Sequence, residues 1–407
     1  MKHVTFSELE GKSFGFYALV VISVIFIGLG LLAAYFMEHE GHVITGMNNQ
    51  IVWGIPHVFA IFLILAASGV LNVASISSVF RKTFYHPLAR LSGLLAITFL
   101  IGGLSVLVLD LGRPDRLIVA MTTYNFKSIF AWNIFLYNGF IAVVVVYLWF
   151  MMQRSMNRYY PIAGFIAFVW RLILTTGTGS IFGFLVAREA YNTALLAPLF
   201  IALSLALGLA GFLIILIADC RGAHCPLGEG ILHRPKTLLG VFVGTVFYFV
   251  LVYHLTNLYI TGKHGLEYFI LFGGGIYTLL FWLGYVVLGT IIPLVLLFHP
   301  HFHYNRRYII MASLSVMLGG IALLYVIIVG GQAYPIEIFP GMEIISSGFF
   351  DAPEEGIAYS YIPSHYEFLL GISGIGISAL LTIIALKVLP IMPRSLADVD
   401  IDPEFID

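Results

Sequence analysis

Apolar runs of about 20 or more residues recur along the whole chain, and each is long enough to cross a hydrocarbon core of about 30 Å. Nothing else in the sequence constrains the fold as tightly. The composition agrees, with 60% hydrophobic and 10% charged residues and a mean hydropathy of +0.98, beyond the range of ordinary soluble domains. The expected fold is all-α: a polytopic transmembrane helical bundle of about ten spans, arranged as two four-helix bundles plus peripheral helices. The spans read as 14–37, 50–79, 89–110, 128–152, 161–186, 194–218, 238–260, 269–298, 308–330 and 367–390, within a single integral membrane domain over 1–407. Connections are short except 331–366, which carries no lysine or arginine and is expected to be an outer, partner-docking segment.

The two termini and the second, fourth, sixth and eighth loops hold about 14 basic residues against about 5 in the odd loops, which predicts cytoplasmic termini in a cell inner membrane. Residues 1–13 are polar and show no signal-peptide cleavage pattern, so the first span is expected to be retained. A net charge of −1 with no basic stretch gives no pointer to nucleic acid. Cys220 and Cys225 are too few for an iron–sulfur cluster, and no Cys-x-x-Cys-His haem attachment occurs. Clusters or c-type haems, if the chain works with them, belong to partner subunits.

Chemistry concentrates in a few polar positions. Asp110, in Leu109-Asp110-Leu111-Gly112-Arg113-Pro114-Asp115-Arg116, ends the third run. A carboxylate there opposes the negative end of the helix dipole, so Arg113 and Arg116 are expected to compensate it, while Pro114 stops the helix. In the second span His57, Ser68, Asn72 and Ser75 share one helix face that descends from the outer mouth. Imidazole changes protonation near neutrality, and hydroxyls and amides at depth either bond helices together or carry protons. The fifth span places Arg171, Thr175 and Thr178 on one face, and its run from Thr175 to Ser180 is small and polar enough to be locally unwound. The fourth offers Asn133 and Tyr137, one turn apart, and the seventh His254 and Asn257. His57 and His254 both fall in the outer half, whereas a multi-haem cytochrome b needs pairs at both depths, so no haem is expected on this chain.

Trp53-Gly54-Ile55-Pro56-His57, Asp110-Leu111-Gly112-Arg113-Pro114 and the late run from Gly330 to Gly341 together resemble the NrfD/polysulfide-reductase membrane-subunit family. The likeness covers nearly the whole chain and is closest to the long ten-helix branch that serves Dsr-type complexes, some hydrogenases and alternative complex III. It implies a quinone-interacting subunit without a redox centre of its own, paired with an iron–sulfur, ferredoxin-like protein on the outer face and with further redox subunits. The quinone, menaquinone or ubiquinone, would bind near that face among spans two to five. By the same resemblance the pocket histidine matches His57 and the pocket aspartate Asp110; the charge argument above makes Arg113 the expected tuning partner of that aspartate. Tyr124, Asn133 and Tyr137 would bond a quinone oxygen, and a proton path would run through Ser68, Asn72, Arg171 and Thr175. Two other functions fit a bundle of this composition: a secondary transporter using Arg171 for a small anion, and a redox-inactive membrane anchor.

Overall fold

The computed structural model describes residues 5–82, 85–223, 225–302, 305–334 and 361–398. Ten helices are long and apolar enough to cross a membrane: α1 (Phe14–His39), α2 (Ile55–Ser78), α3 (His86–Leu109), α4 (Ile129–Met152), α5 (Tyr160–Gly183), α6 (Leu196–Gly222), α7 (Glu229–Tyr259), α8 (Ile276–Phe298), α9 (Arg306–Ala333) and α10 (His365–Val388). Their starts follow local chemistry. Ser13 caps α1, Ser364 and Glu367 form a capping box on α10, and Pro56, Pro87 and Pro161 occupy first-turn positions where a missing N–H costs nothing.

Packing arranges these helices as the sequence leads one to expect. α2, α3, α4 and α5 close one four-helix ring, and α6, α7, α8 and α9 close a second. α1 and α10 pair with each other on the outside, α10 also lying along α3 and α2. The rings join where α2 crosses α6. A Cβ on Gly69 would lie 1.6 Å from the Ser204 carbonyl oxygen, and one on Gly208 would lie 2.1 Å from the Val70 nitrogen. Backbones meet there without intervening side chains, the means by which membrane helices gain contact when lipid offers no hydrophobic driving force. α2 is accordingly the most enclosed helix, 89% of its apolar window being buried against 17% for α1.

Two boundaries depart furthest from the hydropathy reading. α7 begins at Glu229 rather than 238, because a polar helical extension that contains Pro235 precedes the apolar run, its Gly230 N–H bonded to Asp398. The apolar run at 269–298 is not one helix. Gly274 and Gly275 interrupt it, Gly275 adopting φ +55°, and only 276–298 forms α8. A two-residue antiparallel ladder, Phe6 opposite Pro393 and Ser7 opposite Met392, ties the first and last described stretches together on one face, consistent with an even number of crossings. The expected docking segment 331–366 lies largely outside the described residues.

Candidate functional site

The loop before α2 and the end of α3 meet at one mouth of the first ring. α3 reaches that point because Gly103 lets it lie against α2, where a Cβ would come within 2.9 Å of the Ala60 carbonyl. Asp110 caps α3, its N–H bonding back to the Val106 carbonyl at 3.0 Å. Its carboxylate, only 2% exposed, lies 3.0 Å from His57 Nδ1 and 3.9 Å from His42 Nε2. The His57 contact is short, yet its angle makes no hydrogen bond, and both Asp110 oxygens are buried without a donor among the described residues. His57 occupies the first turn of α2, so the carboxylate also faces the positive end of that helix. His42 holds the group from the other side, Nε2 donating to the Asp110 carbonyl at 2.9 Å.

His57 has one sealed and one open edge. Nδ1 is buried against Asp110, while a quarter of the side chain stays accessible. The opposite nitrogen, Nε2, is therefore the one placed to meet a ligand. Trp53 lies beside the imidazole, its ring centroid 6.4 Å away and tilted by 37°, with Phe130 at 6.0 Å and Phe182, which it meets edge-on, at 5.5 Å. On α4, one turn below the mouth, Asn133 donates Nδ2 to the Ile129 and Gly177 carbonyls and leaves Oδ1 buried and unbonded among the described residues. Tyr137 follows a turn later, its hydroxyl 3.3 Å from that of Thr178.

Deeper in the ring the polar residues of α2 and α5 engage each other. The Ser68 and Thr175 hydroxyls are 2.5 Å apart, Thr175 donating to the Arg171 carbonyl at 2.8 Å. Arg171, 3% exposed, donates to the Ser68 carbonyl at 3.4 Å and to Asn72 Oδ1 at 3.2 Å, and faces the Phe168 ring at 5.2 Å. Two polar groups thus lie within one ring: Tyr137 with Thr178, and below them Ser68, Thr175, Arg171 and Asn72. The run from Thr175 to Ser180 stays helical throughout, so the unwound segment expected of a transporter-like site is not formed.

Two expected members lie elsewhere. Arg113 does not reach Asp110. Its guanidinium grips Asp115 through two 3.0 Å hydrogen bonds, with both side chains more than half exposed. That bond holds the Asp115 carboxyl below the usual carboxylate range and raises the Arg113 guanidinium. The cause is Pro114, which opens a short 3-10 turn after α3 and directs the arginine outward. Tyr124 stacks on Phe135 at 4.1 Å in an exposed aromatic group with Phe126 and Trp132, apart from the Trp53 cluster. In the second ring His254 Nδ1 lies 2.6 Å from Glu267 Oε2, and Asn257 donates to Oε1 at 2.8 Å, so this histidine is spoken for by a fully buried carboxylate.

Three participants escaped the sequence reading. His42 lies in a loop with no periodicity. Gln332 and Glu367 are single polar residues at the edge of apolar runs, the kind of position where burial signals purpose. Glu367 accepts hydrogen bonds from the Tyr361 hydroxyl at 2.5 Å and from the Gly46 and Ser364 N–H groups at 2.8 Å, and Tyr361 in turn accepts the Ile55 N–H at 2.8 Å. The approach to His57 is held at its first helical residue by this pair.

Comparison with known proteins places this arrangement. The chain is 28% identical over 393 residues to the Hdr-like menaquinol oxidoreductase integral membrane subunit of Archaeoglobus fulgidus, covering 96% of this chain and 97% of that protein. It is 28% identical to the membrane subunit of a putative dimethyl sulfoxide reductase of Halobacterium salinarum, covering 95% and 93%. A polysulfide reductase polypeptide of Wolinella succinogenes is 25% identical over 70% of this chain and 96% of its own length. The family profile described as Polysulphide reductase, NrfD, matches residues 43–336, which hold His57, Asp110 and the polar groups below them, and the chain belongs to that family.

Proposed function

We propose that this chain is the quinone-interacting integral membrane subunit of an oxidoreductase complex, with the site at His57 and Asp110. The observation that carries the reading is the buried carboxylate with no hydrogen bond among the described residues, 3.0 Å from an imidazole whose other edge is open. The site's residues fit such a ligand. Trp53 and Phe130 offer apolar surface to a ring, His57 Nε2 can bond its oxygen, and Asn133 Oδ1, unbonded among the described residues, suits a hydroxyl. A quinol supplies two electrons and two protons when it is oxidised. His57 takes a proton at Nε2 and can pass one from Nδ1 to Asp110. Asp110 holds it out of water, and His42, one-third exposed, links that carboxylate to the surface. In the reverse direction the same groups deliver protons. The names of the menaquinol oxidoreductase and polysulfide reductase relatives support this reading.

The finer assignments extend the proposal. Both termini face the cytoplasm, the chain lies in the inner membrane as one integral domain, and the His57 mouth opens on the outer face toward an iron–sulfur partner. Ser68, Thr175, Arg171 and Asn72 form a proton path between that mouth and the opposite side, supported by their mutual contacts. Asp110→Asn tests the core of the reading, because it keeps the shape and removes the proton acceptor. In the complex purified with its native partners, quinol-linked electron transfer should fall by about 100-fold or more. Survival of that activity, with assembly and quinone binding unchanged, would overturn the assignment.

A further inference from the structure

The loop that carries Trp53 toward His57 has no regular secondary structure of its own, yet it holds an indole beside the imidazole, centroids 6.4 Å apart. Gln332, at the end of α9, is fully buried against it. Its Oε1 accepts the Val52 N–H at 3.0 Å and the Trp53 N–H at 3.1 Å, and its Nε2 donates to the Trp53 carbonyl at 3.0 Å and to the Ile328 carbonyl at 2.8 Å. Both ends of the side-chain amide are committed, three of the four bonds going to a loop about 280 residues earlier in the chain. A side-chain amide carries an acceptor and a donor in one plane and can therefore bond a peptide as a neighbouring strand would. A carboxylate lacks the donors, and an apolar side chain lacks both.

Arg188 reinforces the same junction. Its Nη1 donates to the Gln332 carbonyl at 2.9 Å and its Nη2 to the Gln50 carbonyl at 2.6 Å, while Gln50 Nε2 donates to the Gln332 carbonyl at 3.2 Å. Trp53 is thus fixed by its backbone from the second ring and by its ring contacts with Phe130 and Phe182 from the first.

We propose that Gln332 is a positioning residue for the His57 site, setting the place of Trp53 beside the imidazole and thereby the affinity and orientation of the quinone ring. The inference rests on the functional reading above and assigns the second ring a part in the chemistry of the first.

Gln332→Met, which keeps the volume and removes every bond, is assayed in the purified complex with menadiol as donor. The kcat/KM for the quinol should fall about tenfold or more, because misplacement of a positioning group is felt strongly at the reacting centre. A second comparison separates positioning from general packing. If Gln332 acts through Trp53, the double variant Gln332→Met/Trp53→Ala loses no more than Trp53→Ala alone. Losses that add, or a lowered melting temperature with unchanged kcat/KM, would overturn the proposal. Should the Met variant not accumulate, Arg188→Lys removes the forked contact and is expected to lower kcat/KM in the same direction, an unchanged value counting against the idea. His57→Gln serves as the control for the underlying site. If His57→Gln retains quinol oxidation, the site itself is misplaced; if it abolishes oxidation while Gln332→Met does not alter it, only the positioning role fails.

Discussion

His57 Nδ1 and Asp110 Oδ2 lie 3.0 Å apart across the mouths of two helices, the carboxylate almost fully buried and the imidazole a quarter open. Burial of an ionisable pair inside a membrane protein is costly, and here the geometry leaves the carboxylate oxygens without hydrogen bonds among the described residues. A purely structural ion pair would be expected to align. On the proposed reading, a small rotation that aligns the pair lets a proton pass between them.

The two histidines around Asp110 should therefore rank unequally. His57→Gln removes the open nitrogen and is expected to lower quinol-linked turnover by about 100-fold or more. His42→Ala removes a donor to the Asp110 backbone and an outlet to the surface, and is expected to slow turnover by less than tenfold, roughly the worth of one hydrogen bond. Turnover numbers of the two variants side by side decide the matter, and the reverse order would count against the assignment.

Arg113→Ala is expected to leave turnover unchanged. Arg113 bonds Asp115, and both side chains are mostly exposed. The Asp115 carboxyl is held low by that bond, so any stabilisation it contributes is present above the ordinary carboxylate range and is lost as pH falls through the lowered value. Exposure screens the pair until little is left to lose. Melting curves of the wild type and Arg113→Ala, taken from neutral into mildly acidic buffer, should coincide.

Gly208→Leu should prevent the two rings from joining. Even a Cβ would fall 2.1 Å from the Val70 nitrogen, and the neighbour is backbone that cannot turn aside. Overpacking of this kind costs about 1–3 kcal/mol or more. Gly15→Leu, on α1 where a Cβ meets nothing within 4 Å, is the matched control and should be tolerated. The yield of monodisperse protein in detergent reports both.

Glu367→Gln should destabilise without touching the redox chemistry directly. The carboxylate receives three donors, from Tyr361, Gly46 and Ser364, and an amide must turn its own N–H toward at least one of them. The expected cost is about 1–3 kcal/mol, the penalty for one buried mismatch. Thermal unfolding in detergent measures it, and an unchanged midpoint would show that the contact contributes nothing.

Much of this architecture is legible in the sequence because continuous apolar runs declare helices by length alone. Legibility ends where contacts join distant residues. Asp110 stands out as a carboxylate at a helix end, but proximity in sequence favoured Arg113, three residues on. The turn at Pro114 carries that arginine outward, and the actual neighbours come from α2 and the loop before it. His42 follows no helical spacing that would mark it. Gln332 and Glu367 meet partners 279 and 321 residues away, distances over which no local pattern speaks. The α7 extension was missed for a different reason: hydropathy measures lipid affinity, and a helix that continues past the apolar run is invisible to it.

The grip on the loop before α2 has one more consequence. Gln332 bonds Val52 and Trp53, and Tyr361 bonds Ile55, so two residues far apart in the chain grip one run of four. The four-residue run before His57 is thereby clamped from both ends, and a displacement at either clamp is delivered to the start of α2.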